Sequence, residues 1–233
     1  MKTIGMIGGM SWESTALYYQ IINRTVQEHL GGLHSAKIVL YSFDFHEIEQ
    51  LQHKGDWDTC GRELARVATS LEAAGADLLV LCTNTMHLVA PAIESAANIP
   101  LLHIADPTAL RIKHSGLSRV GLLGTRFTME QAFYRDRMTE KHGIEVITPD
   151  KQARDTVHRI IYDELCKGRI LPESRAAYRS IMADLADQGA QGIILGCTEI
   201  TMLVDASDAQ VPLFDTTAIH AQEAALESCR GDT

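Results

Sequence analysis

The 233-residue chain carries 21 Lys and Arg against 30 Asp and Glu, a formal charge of −9, and 45% of its residues are apolar. That balance excludes a general binder of nucleic acid or anionic membrane, since both need a net basic face, and the length suffices to bury one large core or two smaller ones. No apolar run approaches a membrane span, Met1-Lys2-Thr3 leads into a strand with no cleavage-site pattern, and the five cysteines lack metal spacing, so a cytoplasmic protein is expected.

In chain order, "KTIGMIGG" reads as a strand, followed by a helix from Ser11 to about Leu30 with Ser11 as N-cap and Glu13 in the first turn. Trp12, Ala16, Tyr19 and Ile22 fall at helical spacing and predict its core face. "AKIVLYSFDF" is a second strand, "FDFHEIEQLQHKG" a loop, about Trp57 to Ala74 a helix, and "DLLVLC" a third strand. Strands alternating with helices predict βαβ units around parallel sheets.

The second half repeats this plan: Gly5 and Gly8 align with Gly121 and Gly124, Thr83 with Cys197, and Pro100 with Pro212, all at nearly one offset. The expected fold is α/β with two similar, pseudo-symmetric domains, each a small parallel sheet flanked by helices. The first spans 1–103 plus 213–233 and the second 104–212. Ligand is expected in a cleft between them, at the carboxyl ends of the strands.

Two stretches carry the candidate chemistry. "ADLLVLCTNTMH" and "AQGIILGCTEIT" each run through a buried strand into Cys-Thr and polar residues, and laid over each other they pair Thr83 with Cys197 rather than Cys82 with Cys197. A thiol and a hydroxyl just past strand ends, one from each domain, suit removal of a proton from one face of a carbon and return to the other. Asn84 and Thr85 on one side, Thr198 and Glu199 on the other, supply donors and acceptors for a substrate carboxylate. Cys82, one residue earlier along its strand, turns to the opposite face and reads as core. His87 reads as a capping or packing residue. "IGMIGGMS" lacks the G-x-G-x-x-G spacing of a dinucleotide loop, and the histidines include no H-x-x-x-H, so neither nucleotide nor metal is expected.

"TNTMH", "GCTEI" and "IGGMSWEST" together resemble the aspartate/glutamate racemase superfamily, over nearly the whole chain. The resemblance implies racemisation of an amino acid without cofactor, neither pyridoxal phosphate nor metal, by two acid/bases on opposite faces, and it implies a homodimer. Where the family places a first Cys before Asn-Thr this sequence has Thr83, a pattern similar to the bacterial branch specific for L-aspartate and L-glutamate. Cys197 is then the base toward the L-enantiomer, with a thiol pKa near 8.5 that a tuned site lowers far enough to hold thiolate, and Thr83 or a water on it supplies the other proton. By the same resemblance Met10, Thr125 and Thr128 lie in loops that touch ligand. The family's side-chain-binding Arg is absent from the loop after the second strand, where Gln52, with His46 behind it, is the candidate, and Cys166 takes the place of a Lys, with Lys167 beside it. These changes leave broader specificity open, as well as a one-thiol decarboxylase or a non-catalytic amino-acid-binding protein.

Overall fold

The computed structural model describes residues 1–230. The first half contains Thr3–Gly8 (β1), Trp12–Leu30 (α1), Lys37–Ser42 (β2), Phe45–Lys54 (α2), Trp57–Ala73 (α3), Leu78–Leu81 (β3), Ala90–Ala96 (α4) and Leu101–Leu102 (β4). Its four strands pair in parallel in the order β2-β1-β3-β4. Then come Ala105–His114 (α5), Arg119–Gly124 (β5), Arg126–Glu130 (α6), Ala132–Asp136 (α7), Glu145–Ile147 (β6), Lys151–Asp163 (α8), Pro172–Asp187 (α9), Ile193–Gly196 (β7), Ile200–Leu203 (α10), Leu213–Asp215 (β8) and Thr216–Cys229 (α11). The second sheet is parallel with the matching order β6-β5-β7-β8.

The chain divides into two compact units, Met1–Ile104 together with the segment from His220, and Ala105–Ile219. The return to the first unit therefore comes later than the position 213 read from the sequence. The reason is β8: Leu213 and Phe214 pair with Ile193 and Ile194 of β7, completing the second sheet as Leu101 and Leu102 complete the first. Among the described residues no helix is long and apolar enough to cross a membrane.

In the first unit the period-2 alternation of the strands sorts residues into two cores. Ile7, Leu79 and Leu81 pack with Leu64, Val67 and Leu71 of α3. Ile4, Met6, Leu78, Val80 and Cys82 pack with Tyr18, Ile22 and Val26 of α1 and with Ala221, Ala224 and Ala225 of α11. Helix α1 is capped as expected, the Ser11 hydroxyl accepting from the Ser14 amide, but its buried stripe is Ser14, Thr15, Tyr18, Ile22 and Val26. Trp12 and Tyr19 are 66% and 53% exposed, and Ala16 is exposed as well. Of the four apolar residues read as a core face, Ile22 alone is fully buried. The helix is rotated so that small and hydroxyl residues meet the sheet, which lets it lie close to β1: a Cβ on Gly8 would sit 2.4 Å from Thr15 Cγ2.

The segment read as a loop after β2 folds as helix α2. Asp44 caps it by accepting from the His46 amide, Gly55 ends it in the left-handed region at φ 72°, and Ile48 and Gln52, one turn apart, form its buried face.

Candidate active site

In a parallel sheet with this order, β1 sends its chain toward β2 and β3 sends its chain toward β4, so the loops leaving β1 and β3 diverge and open a crevice at their carboxyl ends. The β1 loop runs Gly9-Met10-Ser11 and the β3 loop runs Cys82 to Thr85. Gly9 is obligatory here: its φ is +87°, and a Cβ would lie 2.3 Å from the Phe43 carbonyl oxygen. The Gly9 amide donates to Thr15 Oγ1 at 2.8 Å, which ties the loop to α1.

The β1–β3 ladder ends at the Ile7–Leu81 pair. Cys82 is fully buried in the core under α1 and α11, and burial pushes its thiol pKa far up. Thr83, the next residue, is half-buried, with its amide donating to the Leu81 carbonyl at 2.9 Å. Asn84 and Thr85 follow at 5% and 6% exposure, and Thr85 opens a 3-10 turn through Val89. Met10 is buried in the same unit. Gln52, on α2, is buried too, with Nε2 donating to Met86 Sδ at 3.0 Å. His46 does not stand behind it: it lies on the exposed face of α2, bonded to Gln50 at 2.9 Å.

The second unit builds the corresponding crevice from the loops after β5 and β7. Gly124 and Gly196, paired across the ladder, bring the two backbones close; a Cβ on Gly196 would sit 3.0 Å from the Leu123 carbonyl oxygen. Thr125 caps α6 by accepting from the Thr128 amide, and the two hydroxyls lie 3.2 Å apart, both buried. His158, on α8, accepts from the Arg126 amide through Nδ1 at 3.2 Å and stacks near Phe127 and Tyr162. The sequence reading did not single it out; its spacing one turn before Tyr162 was the available signal.

Cys197 stands immediately past β7, half-buried, and its thiol donates to Glu199 Oε2 at 2.9 Å. Burial, and then the Glu199 carboxylate through its charge and its hydrogen bond, push the thiol pKa well above the ordinary range, with Cys166 adding to the push. The expectation of a thiol tuned down to thiolate is therefore reversed. A negative neighbour and a desolvated position both disfavour the charged form, so Cys197 is the protonated partner of a thiol–carboxylate pair. Thr198 is bonded through its hydroxyl to Thr217 at 2.9 Å, at the start of α11. Cys166 is exposed and lies on a single 3-10 turn, Leu165–Lys167, after α8 has ended. Lys167 reaches back to Asp163 at 3.4 Å.

The geometry thus groups the sequence candidates by unit: Met10, Gln52, Thr83, Asn84 and Thr85 in the first, and Thr125, Thr128, Cys166, Cys197 and Thr198 in the second. A comparison with known proteins bears on what such a chain is. Residues 7–224 match the family model for Asp/Glu/hydantoin racemases. The chain is 25% identical to the broad-specificity amino-acid racemase RacX of Bacillus subtilis, over 94% of this chain and 95% of that protein. A Yersinia pestis crystal structure described provisionally as an Asp/Glu racemase is 63% identical, with a TM-score of 0.94, over 99% of this chain and all of that one. An aspartate racemase homologue from Pyrococcus horikoshii is 33% identical with a TM-score of 0.86, over 99% and 100% of the two chains. The repeated parallel sheets and the match across nearly the full length lead to one conclusion: the chain belongs to the Asp/Glu/hydantoin racemase family.

Proposed function

We propose that this chain is a cofactor-independent amino-acid racemase acting on aspartate and glutamate, with Cys197 removing the α-proton of the L-enantiomer and Thr83 returning a proton to the opposite face. The observation that carries the reading is the Cys197 thiol held against Glu199 at 2.9 Å. A thiol must lose its proton before it can take one from carbon, and the carboxylate is in place to receive it. Thr83, or a water on its hydroxyl, then delivers the second proton. An alcohol is a far weaker acid than a thiol, each pKa unit costing about 1.4 kcal/mol. Abstraction from the D-enantiomer by Thr83 is accordingly slow, and because the two enantiomers are equal in energy, delivery of a proton by Thr83 to form D-product is slow to the same extent, so exchange of the L-substrate outruns inversion. Met10, Gln52, Asn84, Thr85, Thr125, Thr128, Cys166 and Thr198 form the substrate-binding set in this reading, and the active protein is a cytoplasmic homodimer.

Broad specificity is the second reading, favoured by the composition of the side-chain-binding region: Gln52 and Cys166 stand where an Arg and a Lys would pair with an acidic side chain, and the RacX relative is named for broad specificity. Proton NMR in deuterated water tests both readings, with L- and D-aspartate, L- and D-glutamate and several neutral amino acids. Loss of the α-proton signal from an L-substrate, abolished in Cys197→Ala, is expected. Thr83→Ala should keep that exchange but form little D-product. Exchange surviving in Cys197→Ala would overturn the assignment of the base, and the ranking of side chains decides specificity.

A further inference from the structure

We propose that His87 is a positioning residue for Thr83, holding the loop after β3 in the geometry from which the second proton is delivered. This rests on the assignment of Thr83 above and adds a residue to it. The last bond to β1 is from the Cys82 amide to the Ile7 carbonyl at 2.9 Å, and the Thr83 amide turns back to Leu81, so no neighbouring strand fixes Thr83. The imidazole of His87 does. Its Nδ1 lies 2.7 Å from the Thr83 carbonyl oxygen, and its Nε2 accepts from the Ile104 amide at 3.2 Å. A carbonyl can only accept and an amide N–H can only donate, so the ring is the neutral Nδ1–H tautomer and both nitrogens are committed to main chain. One side chain thus ties the loop after β3 to the segment after β4.

The brace is itself held. His103 packs edge-on against His87 at 4.4 Å between ring centroids, and His220 stands 6.0 Å from it. His220 accepts from the Tyr18 hydroxyl at Nδ1 and donates to the Leu102 carbonyl from Nε2, each at 2.8 Å. Tyr18, His87, His103 and His220 are all at most 3% exposed. Burying three imidazoles where aliphatic side chains would pack more cheaply makes sense if the polar contacts fix a backbone geometry. The second unit lashes the corresponding loop one residue further on, with smaller groups. Thr201 Oγ1 donates to the Thr198 carbonyl at 2.8 Å, and Thr198 bonds Thr217. The loops bearing Thr83 and Cys197 are therefore each tied by a side chain within four residues of the reacting group.

Exchange and inversion separate a positioning role from a merely structural one. With L-substrate in deuterated water, Cys197 alone can wash out the α-proton by returning deuterium to the same face, whereas D-product needs Thr83. In His87→Ala, formation of D-product should fall roughly 10- to 100-fold, the loss that follows from a misplacement of about 1 Å, while α-proton exchange stays near wild type. His87→Asn, whose amide N–H can occupy the Nδ1 position, should recover much of the inversion. A parallel fall in exchange and inversion, or no fall in either, would overturn the proposal. If the wild-type protein exchanges no α-proton, the racemase reading fails instead, and the brace is then judged by amide hydrogen exchange. Unchanged protection of Thr83 and His87 in His87→Ala would refute it on that ground alone.

Discussion

At Cys197 the local electrostatics run against the reading that thiol chemistry alone suggests. Burial and Glu199 both raise the pKa of this thiol, so in the folded protein the thiolate is the minor form at neutral pH, and reactions that need it accelerate as pH rises. Replacing the carboxylate by an amide removes the like-charge penalty and leaves the burial penalty. Glu199→Gln should therefore shift the alkaline limb of Cys197 alkylation by iodoacetamide to lower pH. It should at the same time lower turnover of L-substrate, because the proton acceptor is gone. An alkylation profile that moves to higher pH would contradict the pKa-raising role of Glu199. Cys82, fully buried with its thiol pKa likewise raised by desolvation, should stay unlabelled throughout.

At the scale of single elements, helical spacing identified α1 but misplaced its buried face. Two aromatic residues at a seven-residue interval look like a core stripe, yet the buried residues are Ser14, Thr15, Tyr18, Ile22 and Val26. A close approach over Gly8 favours small side chains at the contact, and one-dimensional periodicity cannot register that partner. The outward aromatics have a consequence for assembly. In the homodimer proposed above, Trp12, Ala16 and Tyr19 offer an apolar strip for the second copy. Tyr19→Ser should change the unfolding free energy by no more than about 0.5 kcal/mol, as for other surface substitutions. The double change with Trp12→Ser should weaken self-association in sedimentation velocity. An unaltered dimer would place the contact elsewhere. Helix α2 was missed for a different reason: polar residues dominate "FHEIEQLQHK", its apolar face rests on Phe45, Ile48 and Leu51 with Gln52 buried beside them, and its capping residues, Asp44 and Gly55, were the remaining signal.

For the whole molecule, the discontinuous first unit makes the C-terminal half of α11 part of its core. Ala221, Ala224, Ala225 and Cys229 cover Ile4, Met6, Leu78 and Val80, and His220 joins the cluster that holds His87. Truncation after Ile219 should therefore expose one face of the first sheet. The expected outcome is binding of the dye ANS and loss of a single cooperative unfolding transition, with the amides of β1 and β3 exchanging faster than those of β5 and β7. Equal exchange in the two sheets would contradict the division of the core described here.

The sequence by itself determined the α/β class, the two repeated parallel sheets, the cap of α1, the burial of Cys82 and the equivalent positions of Thr83 and Cys197 just past the ends of β3 and β7. These follow from local rules: the alternation of strand and helix, the period of two along a strand, and the repetition of short motifs. The tertiary structure decided what depends on neighbours distant in the chain: that β8 completes the second sheet, that α1 turns its aromatics outward, and that Gln52 meets Met86. It also decided that His87 spans Thr83 and Ile104. At Cys197 the Glu199 two residues on was visible in the sequence. Its effect was not, because the sign and size of a pKa shift depend on burial and on a 2.9 Å contact that exist only once the loop after β7 is folded.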